Sequence, residues 1–410
     1  MKKKMISIIC AAIMTLSLAA CGNTSSGGSA APADTGEEDA SAAAETTEGA
    51  GGDTIRFAVA VPLTGDNAEQ GMYVVNGCQM AIDEINAAGG INGRMFEMVT
   101  YDDQASPNQA VTIAEKIVAD PDIEFVIAHI NSGCLVAAQD TYTSKNMSVI
   151  GTVLSMDELS DYGWSNFLRM CLSNGDSARI LIDAVMDAET IEHPAIFYAN
   201  DANDLSACNL MVDYLKEKYG FSDIPTETFN PETDKDFSAQ IDKLNAAGVD
   251  GIFLACEYSP AALLAMQSHE KGFSPVFAGI SNNNPEFINL GGEDVEGIYT
   301  VCGFDSTSED ADIQAFIAKY EEEYSSQPND CVSRPYDSMY AVANAYENGA
   351  TRDNLAQWMM ENTDYEGTTM DFRFDGTCDD QLARTYILRV TDGNFECITS
   401  ASLAELNSDN

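Results

Sequence analysis

Short, wholly apolar runs alternate along this chain with longer segments whose apolar positions recur every three to four residues. Ile55, Phe57, Val59 and Val61 make Thr54 to Pro62 read as a strand. From Gly71 to Ala88, Val74, Cys78, Ala81, Ile82 and Ile85 follow a helical period, and Gly89-Gly90 stops the helix because glycine can take the left-handed conformation a C-cap needs. The pattern then predicts a strand at Phe96–Tyr101, a helix at Pro107–Ala119, a strand at Phe125–Ala128, a helix at Leu135–Lys145 and a strand at Ser148–Thr152.

The same unit repeats: helix Ala178–Ala188, strand Pro194–Tyr198, helix Ser206–Tyr219, strand Thr226–Phe229, helix Phe237–Ala247, strand Gly251–Ala255, helix Ala261–Lys271 and strand Val276–Ala278. Strands that are apolar on both sides, separated by amphipathic helices, predict parallel sheets covered on both faces. Two runs of them predict an α/β fold of two doubly wound, Rossmann-like lobes joined by a multi-strand hinge. Gly297–Cys302 reads as a strand returning toward the first lobe. Helices follow at Asp310–Tyr324, Tyr336–Ala350 and Asp353–Asn362, and Thr369–Phe374 with Thr385–Val390 reads as a closing antiparallel pair. The expected division is lobe one over residues 54–170 and 301–365, lobe two over 171–300, and a C-terminal segment, 366–410, returning to lobe two. Loops at the C-terminal ends of parallel strands would line the cleft between them.

The N-terminal end changes the picture from fold to compartment. Lys2, Lys3 and Lys4 precede an almost uncharged apolar run from Met5 to Ala20, of signal-peptide length and short for a bilayer span. It ends in Leu18-Ala19-Ala20-Cys21-Gly22, which resembles a bacterial lipobox and implies cleavage after residue 20 with lipid on Cys21. The alternative is an ordinary signal peptide with a chance cysteine. Gly22 to Asp53 is Gly, Ser, Ala and Thr with scattered acids, a composition that cannot offset its ordering entropy and reads as a disordered tether with a reach of roughly 30 Å.

The formal net charge of −46 extends through the body, which argues against nucleic acid as a partner. Of eleven cysteines, Cys10 falls in the leader and Cys21 at the lipobox. The remaining nine are odd in number and lack a Cys-x-x-Cys arrangement, so neither a metal site nor a dense disulfide framework is expected, while one or two bridges stay open. His129, His193 and His269 form no ligand pair. No nucleophile elbow, phosphate-binding loop or dinucleotide turn occurs, so neither catalysis nor a cofactor is expected. Asp371, Asp375, Asp379 and Asp380 do not match a calcium loop and read as a solvated turn.

Val61-Pro62-Leu63-Thr64-Gly65, the run Glu84-Ile85-Asn86-Ala87-Ala88-Gly89-Gly90-Ile91-Asn92-Gly93, Tyr101-Asp102-Asp103, Asp236-Phe237-Ser238 and Tyr336-Asp337 together resemble the leucine/isoleucine/valine-binding protein family, from about Thr54 to the C-terminus. That resemblance implies a type I periplasmic binding protein, monomeric, tethered to the membrane through its lipid alone and serving the permease subunits of an ABC importer. The ligand it implies is an amino acid enclosed between the lobes.

Residue by residue, Ser132 matches the family's carboxylate-binding serine, although serine there also suits a helix cap. Val153 and Ser155 match a backbone carbonyl and a hydroxyl used against the ammonium or carboxylate. The family's pocket aromatic falls at Glu257 or Tyr258. Its acidic ammonium ligand falls at Ser281 or Asn282, neither acidic, and Glu257 could replace it, since a buried ammonium needs a partner. Asn203 stands at the position of an aromatic lid and Gln70 at a tyrosine position, both pointing to a more polar ligand. Two other classes remain: a sensing receptor with the same fold, and an exported enzyme with an unfamiliar site.

Overall fold

The computed structural model describes residues 54–65 and 67–408. The leader, Cys21 and the tether lie outside the described residues. The described residues form one compact unit.

The first half of the sequence builds a five-stranded, all-parallel sheet. Its strands are β1 (Thr54–Val61), β2 (Met95–Asp102), β3 (Ile123–Ala128), β4 (Ser148–Gly151) and β5 (Phe167–Arg169), in the order β2-β1-β3-β4-β5. Alternate residues of β1 explain why it is apolar throughout. Ile55, Phe57, Val59 and Val61 face one buried cluster, while Ala58 and Ala60 face another with Val126 and Val149. Helices α1 (Ala68–Ala87), α2 (Pro107–Ala119) and α3 (Ser132–Thr143) supply the connections.

Lobe two carries α4 (Asn174–Ala188), β6 (Pro194–Ala199), α5 (Ala202–Tyr219), β7 (Thr226–Phe229), α6 (Ser238–Ala246), β8 (Gly251–Ala255), α7 (Tyr258–Glu270), β9 (Val276–Gly279), α8 (Pro285–Gly291) and β10 (Tyr299–Cys302). The chain then returns to lobe one as α9 (Ala311–Tyr324), α10 (Asp330–Glu347) and α11 (Leu355–Asn362). Phe316, Tyr320, Met339 and Leu355 of these helices pack into the same cluster as β1. After β11 (Asp364–Tyr365) and β12 (Phe372–Arg373) come β13 (Arg384–Thr391), β14 (Asn394–Ser402) and α12 (Leu403–Ser408). The second sheet has the order β14-β13-β10-β9-β8-β6-β7.

Two expectations need correction. Gly297–Cys302 does not leave lobe two: Tyr299–Cys302 pairs parallel with β9 and antiparallel with β13 inside the second sheet, and the crossing to lobe one follows at Gly303. Nor do the segments around Phe372 and Thr385 pair with each other. β12 pairs with β11, while β13 forms a hairpin with β14 through Asp392-Gly393. Both turn residues have positive φ (49° and 70°), the conformation of the two-residue turn whose twist matches a hairpin. The Asp-Gly signal was in the sequence, but the strand after it, Asn394–Ser402, mixes polar and apolar residues without a clean alternation.

The residues of the family-like motifs turn out to be struts. Asn86 clamps the backbone of Phe96 through both ends of its amide (2.8 and 2.9 Å). Asn92 and Gly93 both have positive φ, which gives the turn from α1 into β2 its sequence requirement. Asp102 accepts from Leu63 N–H and the Thr64 hydroxyl (2.8 and 2.6 Å). Wholly buried Asp103 meets His129 Nδ1 at 2.6 Å, and the far side of that ring lies 3.3 Å from the Tyr142 hydroxyl, so His129 is a core residue. Glu84 accepts from the hydroxyls of Tyr336 and Tyr340 and pairs with Lys319, tying α1 to α9 and α10. Buried Asp337 accepts the backbone N–H groups of Thr368, Thr369 and Met370.

The acidic turn near residue 375 is structural in part. Asp379 pairs with buried Arg169, and buried Asp380 accepts Arg373 N–H and Leu382 N–H. The nine described cysteines are all free thiols.

Candidate functional site

The strand order of each sheet reverses once: between β1 and β3 in lobe one, and between β6 and β8 in lobe two. Side-by-side loops that diverge at such a point leave a crevice at the strands' C-terminal ends. The loops after these strands carry Ile130 and Asn131 from lobe one and Glu257 from lobe two, and the first turn of α1 brings Gln70. With Val153, Ser155 and Ser281 they line a cleft of about 470 Å³. Five residues read from the sequence therefore meet in one place: Gln70, Val153, Ser155, Glu257 and Ser281.

Four others do not line it. Tyr258, the first residue of α7, packs on the lobe-two core cluster that includes Phe237 and Cys256, because that end of the helix seats its ring against the sheet. Asn203 is exposed in the first turn of α5, where its amide donates to Asp204 at 3.2 Å. Ser132 is the first residue of α3, and the capping position belongs to Asn131, whose side chain lines the cleft in its place. Asn282 is fully buried, its amide donating to the Cys256 carbonyl at 3.4 Å, and is a lobe-two strut rather than a cleft residue.

The electrostatics of the cleft come from helix ends and a few charges. Helices α1, α3 and α7 begin at Asn67, Asn131 and Glu257, all three of which line it. None of the three cap side chains accepts a hydrogen bond from its own first turn. Their leading N–H groups have no intrahelical acceptor and favour an anionic oxygen. The cap oxygen of Asn131 is itself buried without a partner among the described residues. Ser155 is half-buried, and its carbonyl accepts Asn174 N–H at 2.8 Å, which holds the loop against the start of α4.

On the lobe-two side the charge is negative. The recess around Glu257 pushes its carboxyl above the usual range, by desolvation first and by Asp201 second, although the residue is open to solvent along the cleft. Asp204 is pushed up to about 7 by desolvation, then by Asp201, with a smaller push from Glu257. Carboxylates that are expensive to charge when alone are poised to accept a cation.

Sequence reading missed Asp330 and Arg334, which bring the other charges into the cleft from lobe one. Arg334 Nη1 lies 2.9 Å from Asp330 Oδ2, one helical turn away. Their signal was an Asp-x-x-x-Arg spacing at the start of a helix, which reads as an ordinary surface pair. The cleft adjoins a second recess of about 840 Å³ that shares Gln70 and Asp330. No aromatic side chain lines the inner cleft among the described residues, and no cluster of metal-ligating side chains occurs among them.

The chain is 29% identical over 331 residues to the leucine-, isoleucine-, valine-, threonine-, and alanine-binding protein of Pseudomonas aeruginosa, covering 79% of this chain and 86% of that one. Its fold is similar to that of a putative branched-chain amino acid ABC transporter from Rhodospirillum rubrum (TM-score 0.74, 24% identity, 84% of this chain and 100% of that chain). It is also similar to the branched-chain amino acid transporter substrate binding protein of Streptococcus pneumoniae in complex with isoleucine (TM-score 0.71, 25% identity, 85% and 99%). The family profile for periplasmic binding proteins matches residues 54–394, so with its two doubly wound lobes and the cleft between them, this chain belongs to the periplasmic binding protein family.

Proposed function

We propose that this chain is the extracytoplasmic solute-binding subunit of an ABC importer, held to the membrane through lipid on Cys21, and that it captures a small polar amino acid as a monomer without doing chemistry on it. The observation that carries the reading is the convergence, in one polar cleft, of three uncapped helix N-termini with the Glu257 carboxylate. A zwitterion needs that pairing: N–H donors and a hydroxyl for its carboxylate, an acid for its ammonium. In this reading the α3 N-terminus, from Asn131 through Ser132, and the Ser155 hydroxyl take the carboxylate. Val153 O and Glu257 take the ammonium, with Gln70 and Ser281 closing the sides. The relatives' names, which concern amino acids and ABC transport, point the same way. Closure of lobe two over lobe one would then present the loaded form to the permease subunits.

Titration calorimetry and thermal melting of the protein against the α-amino acids, with simple amides and carboxylic acids alongside, test the proposal. A ligand at 100 times its Kd adds about 2.7 kcal/mol of stability. At least one α-amino acid should bind, and Ser155→Ala should weaken it by about tenfold, the worth of one hydrogen bond to a charged group. Binding of amides or acids alone, with every α-amino acid inert, would remove the amino-acid reading.

A further inference from the structure

Arg334 is the single cation among the described residues lining the cleft, in a protein with 20 basic and 66 acidic residues. Its side chain is only 12% exposed. A guanidinium carries five N–H donors in a fixed fork. Asp330 engages Nη1, and no other ion pair or hydrogen bond engages the fork among the described residues. Its other charged and polarisable neighbours are the thiols of Cys171, Cys302 and Cys331, which are weak acceptors.

The backbone makes room for this group. The chain leaves β10 at Gly303, where a Cβ would sit 1.8 Å from Arg334 Nη2 and 2.8 Å from Asp330 Oδ2. A buried cation whose donors face a solvent-filled cleft lacks the acceptors that would offset its desolvation. A ligand carboxylate would supply them, two parallel N–H···O bonds at a time.

Building on the amino-acid reading above, we propose that Arg334 reads a second carboxylate at the far end of the ligand, so that the solute is an acidic α-amino acid rather than a branched-chain one. The α-carboxylate and ammonium occupy the helix ends, Ser155 and Glu257, and the side-chain carboxylate reaches across to α10. The inner cleft has aliphatic side chains at Ile130, Val153 and Leu172 but no aromatic one, and most of its exposed lining is polar, including Asn131, Ser155 and Ser281, which suits a charged side chain better than that of leucine. The protein's own negative field opposes an anionic ligand at long range. That repulsion acts on the association rate and is screened beyond roughly 10 Å, while the fork acts in contact.

The test is titration calorimetry of the purified full chain with L-glutamate, L-glutamine and L-leucine, ligands of similar length that differ at the far end. Glutamate should bind at least tenfold more tightly than either of the others. Arg334→Met should weaken glutamate about 100-fold and glutamine less than fivefold, so that the preference collapses. Arg334→Lys, which keeps the charge but not the fork, should lose about tenfold for glutamate and covers the case in which the methionine variant does not fold. Leucine binding as tightly as glutamate, or a glutamate-to-glutamine ratio unchanged in both variants, overturns the assignment while leaving the amino-acid reading intact. If all three ligands and every other α-amino acid fail to bind, the underlying reading falls with it.

Discussion

Arg169 sits where lobe one hands the chain to lobe two, and removing it should loosen the hinge by a predictable amount. Its guanidinium is buried with each nitrogen engaged: Nε donates to Asp379 Oδ1 (2.7 Å), Nη1 to the Met156 carbonyl (2.8 Å) and Nη2 to the Ser160 hydroxyl (2.6 Å). Its backbone holds the same crossing segment, donating to Cys378 O at 2.7 Å and accepting Asp380 N–H at 3.1 Å. Arg169→Met keeps most of the volume and strands Asp379, whose side chain is 16% exposed. Breaking one side of a buried ion pair costs about 3–5 kcal/mol. Asp379 keeps the Ser160 hydroxyl at 2.6 Å and some water, so the lower end, about 3 kcal/mol, is expected.

The reasoning makes a sharper claim about the double variant. Arg169→Met with Asp379→Leu removes the stranded charge and should cost only about 1–1.5 kcal/mol, less than the single change. Urea denaturation of wild type, both singles and the double measures this: the double should be about 1.5–2 kcal/mol more stable than Arg169→Met alone, with the slope checked because two lobes need not unfold as one. Costs that add within about 0.5 kcal/mol would refute the idea that the stranded carboxylate sets the penalty.

Other consequences are as specific. If Glu257 takes the ligand's ammonium, binding favours charged carboxylates in a cluster where Asp204 is pushed up to about 7. Proton release should then accompany binding near neutral pH and affinity should fall as pH drops from 8 to 6; a flat profile in calorimetry excludes this role. Gly77 of α1 faces α10 so closely that a Cβ would lie 2.3 Å from the Val332 carbonyl oxygen. Gly77→Ala should therefore destabilise by about 1–2 kcal/mol in denaturant melts, the overpacking outweighing the gain in helix propensity, and a stabilised variant would contradict that packing. Burial pushes the thiols of Cys208, Cys378 and Cys397 up to about 11, so a maleimide should label the native protein slowly at neutral pH and the denatured protein at once. Rapid stoichiometric labelling of the native form would show these thiols to be open to solvent.

Periodicity was enough for the body of the fold, because a parallel strand buried on both faces and a helix buried on one write different spacings into the chain. Gly251–Ala255 and Pro107–Ala119 fall where their patterns place them. The most recognisable motifs, from Glu84 through Gly93 and at Tyr336-Asp337, proved to be braces: Glu84 meets Tyr336 252 residues further on, while Asn86 and Asp337 hold backbone 10 and 31 residues away. They identify the family because the fold needs them, and they say little about the ligand. Only the tertiary structure decided which loops face each other. It turned Tyr258 onto the core, left Asn203 in solvent, and handed the place expected of Ser132 to Asn131. It also carried Arg334 and Asp330 to the cleft from a helix that sequence order sets far from the other site residues. A cleft assembled from two sheets has no spacing of its own along the chain: each residue's local pattern is that of an ordinary helix cap, loop or surface pair until the two sheets bring them to one place.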